Sequence, residues 1–230
     1  MEFVNLKKDG NVIVLTMNHK GTNVFNPKFV KALDQALDEV EAQSDICALV
    51  VAGGEEKFFS TGLDLDWIGE DFSTVDDFMP AMTAFWRRLL LFPMLTVACI
   101  NGHAYAAGAL FAVHFDYRFM REDRGYITMP EIPLGITVPY AGMKMLEKVV
   151  SPAIARDMIF RAKKYDGPSA LKCGFVDGIF SKDELLPKAI EFAKAQSIMN
   201  QKAFSLTKRS VYSELHNIIQ KQDWSEFVRV

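Results

Sequence analysis

Two spacings of apolar residues alternate along the first two thirds of the chain. Val12–Met17 (VIVLTM), Cys47–Ala52 (CALVVA) and Thr96–Ile100 (TVACI) are near-continuous apolar runs of strand length. Such runs predict strands, and the second reads as buried on both faces. Between the first two, Phe29, Val30, Leu33, Leu37 and Val40 recur at helical spacing. Asn26–Pro27 just before them supplies a cap and a proline at the first helical position. Strand, helix and strand in that order predict a right-handed crossover and a parallel sheet. Phe3–Leu6 lies ahead of the Asp9–Gly10 turn signal and is expected to pair with Val12–Met17 as a hairpin. Phe78–Leu91 is a second amphipathic helix, stopped by Pro93, and the acidic stretch Glu70–Asp77 before it reads as a solvated loop.

Small residues dominate after Thr96–Ile100. A turn at Asn101–Gly102 leads to Ala104–Ala109 and an apolar helix that ends at Asp116, followed by a strand to Met120. The first backbone N–H groups of a helix have no intrahelical partner, and small side chains leave them open to a partly negative oxygen. Tight helix–strand packing uses the same residues, so both readings stand at this point. Phe58-Phe59-Ser60-Thr61-Gly62, with a short helical segment after it, is a second passage of this kind, or an ordinary loop with a capped helix. Arg121–Gly125 is a charged turn and Tyr126–Met129 a short strand. Pro130–Gly135 is irregular, and a lone Glu131 stands there among Met129, Ile132 and Leu134. Helices are expected over Pro139–Val150, from Ser151–Pro152 through Arg161, and over Ser169–Cys173 with Gly174 as the stop. Phe175–Phe180 is the last strand. Ser181 with Glu184 forms a capping box for a helix to about Met199, and Gln201–Gln220 is mostly helical. The pattern predicts an α/β core over 1–180 and a helical region over 181–230.

Composition narrows the class. With 230 residues, 50% of them hydrophobic and 24% charged, the chain fits one globular domain, or one with a small appendage. A net charge of −3 with scattered lysines and arginines gives no nucleic-acid footprint. The apolar runs fall short of the roughly 18 residues that cross a bilayer, and MEFVNLKKDG has no signal core. The expectation is a soluble cytoplasmic protein without a membrane or nucleic-acid partner. Cys47, Cys99 and Cys173 are too few and too scattered for a disulfide frame. There is no metal-ligand constellation and no dinucleotide fingerprint.

Five short elements in order resemble the crotonase family, the enoyl-CoA hydratase/isomerase superfamily. Phe59-Ser60-Thr61-Gly62-Leu63-Asp64-Leu65 is similar to its F-x-(A/S)-G-x-D-L element. Asn101-Gly102-His103-Ala104 with Ala106-Ala107-Gly108 is similar to N-G-x-A-x-G-G-G. Asp116-Tyr117-Arg118, Pro130-Glu131-Ile132 with Leu134-Gly135, and Leu206-Thr207-Lys208 follow in the family's order. The resemblance spans nearly the whole chain. It implies a spiral of β-β-α units with a helical C-terminal region, assembled as a homotrimer or a dimer of trimers.

The resemblance also implies a site. Its oxyanion hole maps onto the backbone N–H groups of Leu63 and Ala107. The acyl-CoA thioester is the substrate, and no separate cofactor is implied. Substrate-binding positions carry over as the backbone of Asn23, Val24 and Phe25 toward the adenine end, together with Ser60, Gly62, Gly108 and Leu110. Hydratases of the family use two glutamates. Here Leu110 stands at the first position and Glu131 at the second, a pattern similar to monofunctional Δ3,Δ2-enoyl-CoA isomerases, especially the peroxisomal ones of plants. Glu131 is then the single acid/base, against the plainer reading of a loop carboxylate paired with an Arg or Lys. Another acyl-CoA reaction (weak hydration or thioester hydrolysis) and a non-catalytic acyl-CoA-binding paralogue are the competing functions. His103 and His114 read as packed histidines with backbone partners, Asp64 as a helix cap, and Lys57 as a solvated lysine. The chain closes soon after Gln220, where the family continues for roughly another helix pair, so a shortened C-terminal region is expected.

Overall fold

The computed structural model describes residues 2–69, 74–196, 200–227 and 230. Strands β1 (Val4–Asp9) and β2 (Val12–Met17) form the expected antiparallel hairpin, with Val4 opposite Met17 and Asp9 opposite Val12. Asn26 caps helix α1 (Pro27–Glu41), its side chain accepting from Phe29 N–H at 3.0 Å. The helix returns the chain to β3 (Ala48–Gly53), which lies parallel to β2. All of β3 except Gly53 is buried, as its unbroken apolar run requires.

From β3 the chain repeats one step. A strand joins the large sheet, a short strand joins a second sheet, and helix follows. β3 leads to β4 (Phe58–Ser60), then α2 (Leu65–Ile68) and α3 (Thr74–Leu90). β5 (Leu95–Ile100) leads to β6 (His103–Tyr105) and α4 (Ala107–Val113). β7 (Tyr117–Arg121) leads to β8 (Ile127–Thr128), a 3-10 turn at Ile132–Leu134, and helices α5 (Tyr140–Glu147), α6 (Pro152–Arg161) and α7 (Gly167–Cys173). Strand β9 (Gly178–Phe180) completes a large sheet of order β1-β2-β3-β5-β7-β9, parallel beyond the hairpin. The second sheet, β4-β6-β8, is parallel throughout. This is the β-β-α spiral that the resemblance implied.

Helix α8 (Lys182–Ala195) lays Leu185, Ala189 and Ala193 on one face of the large sheet, against Val12, Val50 and Val97. The other face meets α1, α3 and α4 in the larger apolar core. Phe111 of α4 stands at its centre, with ring centroids of Phe25, Phe59, Phe85 and Phe115 at 5.3, 5.9, 6.0 and 5.0 Å. Helices α9 (Gln201–Val211) and α10 (Ser213–Lys221) follow, and α10 packs on α3 and α5. Among the described residues no helix is long and apolar enough to cross a membrane.

Several sequence expectations are corrected. The helix expected from Ala104 starts at Ala107, because His103–Tyr105 pairs as a strand between β4 and β8. The loop expected over Glu70–Asp77 is helical from Thr74. Val75 is fully buried, and Asp76 and Asp77 sit in the first turn, where negative charge suits the helix dipole. Residues 70–73 lie outside the described residues. The strand expected over Phe175–Phe180 is only Gly178–Phe180, and that over Tyr126–Met129 only Ile127–Thr128. Ser181 makes no side-chain cap. Its hydroxyl bonds the Glu184 carboxylate at 2.5 Å instead of a backbone N–H. Helix α8 ends at Ala195, and the expected end near Met199 lies outside the described residues. Tyr212 breaks the last helical stretch into two.

Candidate active site

Adjacent parallel strands bring their carboxyl ends to one side, the usual place for a ligand in an α/β sheet. In the β4-β6-β8 sheet, Thr61-Gly62-Leu63 leaves the first strand, Ala106-Ala107 the second, and Met129-Pro130-Glu131 the third. Gly62 adopts φ +94°, and a Cβ there would lie 3.0 Å from Ala107 N. The Gly62–Leu63 passage therefore lies directly against the first peptide of α4. Among the described residues neither Leu63 N–H nor Ala107 N–H donates a hydrogen bond. For Ala107 the reason is its place in the first turn.

Packing behind these peptides is close. A Cβ on Gly108 would lie 2.3 Å from the Ser60 carbonyl, so only glycine lets α4 approach β4 this closely. The Ser60 hydroxyl donates to the Asn23 carbonyl at 2.8 Å and accepts from Gly62 N–H at 3.2 Å. The Asn23 amide donates to the Phe59 carbonyl at 3.0 Å. Phe25 N–H donates to the Gly62 carbonyl, and Asp64 N–H donates to the Phe25 carbonyl. Asp64 caps α2, accepting from Trp67 N–H, and also binds Lys20 and Asn26. Ala106 holds φ +53° and ψ −128°, a conformation that favours glycine, where strand turns into helix.

Glu131 begins the Ile132–Leu134 turn, and its carbonyl accepts from Leu134 and Ile136 N–H, both at 2.9 Å. Glu131 is 6% exposed, and its Oε2 has no hydrogen-bond partner among the described residues. No ion pair to Glu131 forms among the described residues either, so they give the reading of a loop carboxylate paired with Arg or Lys no support. Desolvation raises its pKa to about 7. A carboxyl group with that pKa in a cleft has the property of a general base working near neutral pH.

Glu131, Leu63, Ala107 and Leu110 meet in a cavity of about 190 Å³. Its walls are largely hydrocarbon, with Met79, Met82 and Trp86 from α3, Leu110 from α4 and Val138 ahead of α5. Thr61 and Tyr105 also line it. Of the other expected positions, Ser60, Gly62 and Gly108 stand behind the wall, and Asn23, Val24 and Phe25 form the loop that braces it. His114 is buried, pairs its Nδ1 with the Leu110 carbonyl at 2.7 Å, and is pushed down to about 3 by desolvation, so it stays neutral. His103 Nδ1 accepts from Tyr126 N–H at 3.1 Å and meets the Tyr105 hydroxyl at 2.8 Å. Lys57 lies exposed over the Phe58 ring. Sequence reasoning missed Trp224 and Phe227, which complete the wall, and the Met79, Met82 and Trp86 set. The latter has helical spacing that marks a buried face, but spacing alone does not say that the face borders a cavity.

Comparison with known proteins agrees with this arrangement. Residues 7–225 match the family model described as enoyl-CoA hydratase/isomerase. The chain is 31% identical over 227 residues to enoyl-CoA delta isomerase 3 of Arabidopsis thaliana, covering 93% of this chain and 94% of that one. It is 30% identical over 229 residues to the peroxisomal enoyl-CoA delta isomerase 2 of the same plant, again covering 93% and 94%. A crystal structure of an enoyl-CoA hydratase from Mycobacterium ulcerans superposes with a TM-score of 0.87 at 30% identity over 94% of both chains. A match over nearly the full length, on a β-β-α spiral with these strand-end peptides, places the chain in the enoyl-CoA hydratase/isomerase family of the crotonase superfamily.

Proposed function

We propose that this protein is a Δ3,Δ2-enoyl-CoA isomerase with Glu131 as its single acid/base. The observation that carries this reading is that Glu131 is the one carboxyl group lining the cavity among the described residues, buried and with Oε2 unpartnered. Leu110 lines the same cavity at the position where the hydratase pattern has its other glutamate. One carboxylate facing hydrocarbon suits moving a proton within a substrate better than holding and activating a water.

In this mechanism the Glu131 carboxylate takes a proton from C2 of a 3-enoyl-CoA. The electron pair left at C2 spreads into the thioester oxygen as a dienolate. That oxygen accepts from Leu63 N–H and Ala107 N–H, donors already fixed by the packing behind them, and such donors act most strongly as charge develops. The protonated carboxyl then returns the proton to C4, the C3–C4 double bond becomes C2–C3, and Glu131 is again ionised. No water enters the balance, which suits the apolar wall.

The test is absorbance on mixing with 3-hexenoyl-CoA, which reads formation of the conjugated 2-enoyl thioester. Glu131→Gln is expected to lose about 10²–10⁴-fold in kcat while still binding acyl-CoA. In the wild type, kcat/KM rises with pH to a plateau, with its midpoint at the Glu131 pKa of about 7, because only the ionised base abstracts the proton. Full activity of the Gln variant removes Glu131 from the chemistry. Acyl-CoA binding without conjugation favours the binding paralogue, and enzyme-like hydration of crotonyl-CoA favours a hydratase.

A further inference from the structure

One wall of the cavity comes from a segment far along the chain. After α10 the chain turns through Trp224–Glu226 and places Trp224 and Phe227 among the lining residues. Among the described residues, hydrogen bonds fasten this strap to the stretch that runs from Glu131 into α5. The Gln222 side-chain carbonyl accepts from Ala141 N–H at 2.9 Å, and the Glu226 carbonyl accepts from the Thr137 hydroxyl at 2.6 Å. Val230 N–H donates to the Gly135 carbonyl at 2.8 Å. On its other side the Trp224–Glu226 turn packs on α3, the helix that supplies Met79, Met82 and Trp86. The strap is thus tied to two walls of the cavity it helps to line.

The space between these walls sets a size. The cavity measures about 190 Å³. An engineered apolar cavity of about 150 Å³ takes up benzene, so by the same ratio this one holds about eight non-hydrogen atoms. The thioester carbonyl at Leu63 and Ala107 uses part of that space. We infer that Trp224 and Phe227 fix the acyl-chain length, restricting the protein to acyl groups of about six to eight carbons. Longer chains must displace one of these two rings or leave their ends in water. This inference rests on reading the cavity as the acyl site of the proposed isomerase.

The experiment measures kcat/KM for 3-hexenoyl-, 3-octenoyl- and 3-dodecenoyl-CoA in the wild type, Trp224→Ala and Phe227→Ala. The wild type is expected to favour the two shorter thioesters over dodecenoyl by about tenfold or more, since each misfitted methylene in a closed pocket is worth about 10–200-fold. Each truncation shifts the dodecenoyl-to-hexenoyl ratio by about tenfold toward the long chain. The ratio is taken within one preparation, so any unfolded fraction cancels. Gly142→Ala tests the opposite direction without truncating the core. Gly142 lines the cavity, and its added Cβ would lie 2.9 Å from Val138 Cγ1 and 3.9 Å from Leu110 Cδ1. Its octenoyl-to-hexenoyl ratio is expected to fall. A wild type that handles dodecenoyl as well as hexenoyl, or a ratio unmoved by both truncations, overturns the inference. If no thioester is isomerised, the isomerase reading fails by itself. Calorimetric binding of hexanoyl-CoA against dodecanoyl-CoA then decides the length limit, with tighter binding of the short chain supporting it and equal or weaker binding refuting it.

Discussion

A carboxyl group in hydrocarbon surroundings links chemistry to stability at Glu131. Burial raises its pKa from the ordinary 4.5 to about 7. Between those values the folded chain keeps a proton that the unfolded chain has lost, so stability falls as pH rises from about 4.5 to 7, and the full penalty stands above 7. Glu131→Gln removes that penalty. The variant is expected to be more stable than the wild type at pH 8 by up to about 3 kcal/mol, with the gap closing at pH 4. Urea unfolding at both pH values measures it, and a gap that does not change with pH means the carboxyl is not desolvated. Ala106 carries strain of another kind. At φ +53° it holds a conformation that costs a non-glycine residue about 1–3 kcal/mol. Ala106→Gly is expected to gain about 1 kcal/mol net, after the greater freedom of glycine in the unfolded chain takes back part. Thermal unfolding reads the gain, and a lower Tm counts against the strain. At this scale the places of Glu131, Leu110, Leu63 and Ala107 in family elements were legible in the sequence, and the fold brings all four to one cavity. The burial of Glu131 and its unpartnered Oε2 were not, because they depend on side chains from distant segments.

Among the elements, α4 has a different chemistry at each end. Its first turn borders the cavity, and its last carbonyls meet Lys148 and Arg118, although burial pushes the Lys148 amine well below its ordinary pKa. Lys148 Nζ donates to the Val113 and Phe115 carbonyls at 2.6 and 2.8 Å, and Arg118 donates to Phe115 at 2.7 Å. Positive charge is favourable at a helix C-terminus. Just beyond, Asp116 accepts from Thr96 N–H at 2.9 Å and from Lys208 of α9 at 2.8 Å. Lys208 is 2% exposed at its side chain, and burial lowers its pKa although Asp116 opposes the shift. Lys208→Met leaves the Asp116 carboxylate nearly buried without its cation. The expected loss is about 3–5 kcal/mol, measured by urea unfolding, and a loss below about 1 kcal/mol means that solvent already screens the pair. Helices such as α1 and α6 were legible from spacing and caps. The strands β4, β6 and β8 were not legible as a sheet. Strands of two or three residues have too few positions to display a period, and only their mutual pairing defines them.

For the whole molecule, the repeated β-β-α step is what gathers the site. Each step adds one strand to each sheet, so Gly62–Leu63, Ala106–Ala107 and Glu131 arrive side by side from points spread along the chain. The chain-length limit belongs to this scale too, since Trp224 and Phe227 reach the cavity only when the segment after α10 folds back over α3 and the Glu131 turn. By itself the sequence determined the α/β class, the central helix with its small-residue start, the family and the candidate base. These rest on local spacing, caps and short ordered elements, which act over a few residues. Only the tertiary structure decided that the Glu131 carboxyl is buried among hydrocarbon with Oε2 unpartnered, that Leu63 and Ala107 line the same cavity, and that a late strap supplies part of its wall. Those properties come from contacts between distant segments, and local patterning does not specify which distant surfaces meet.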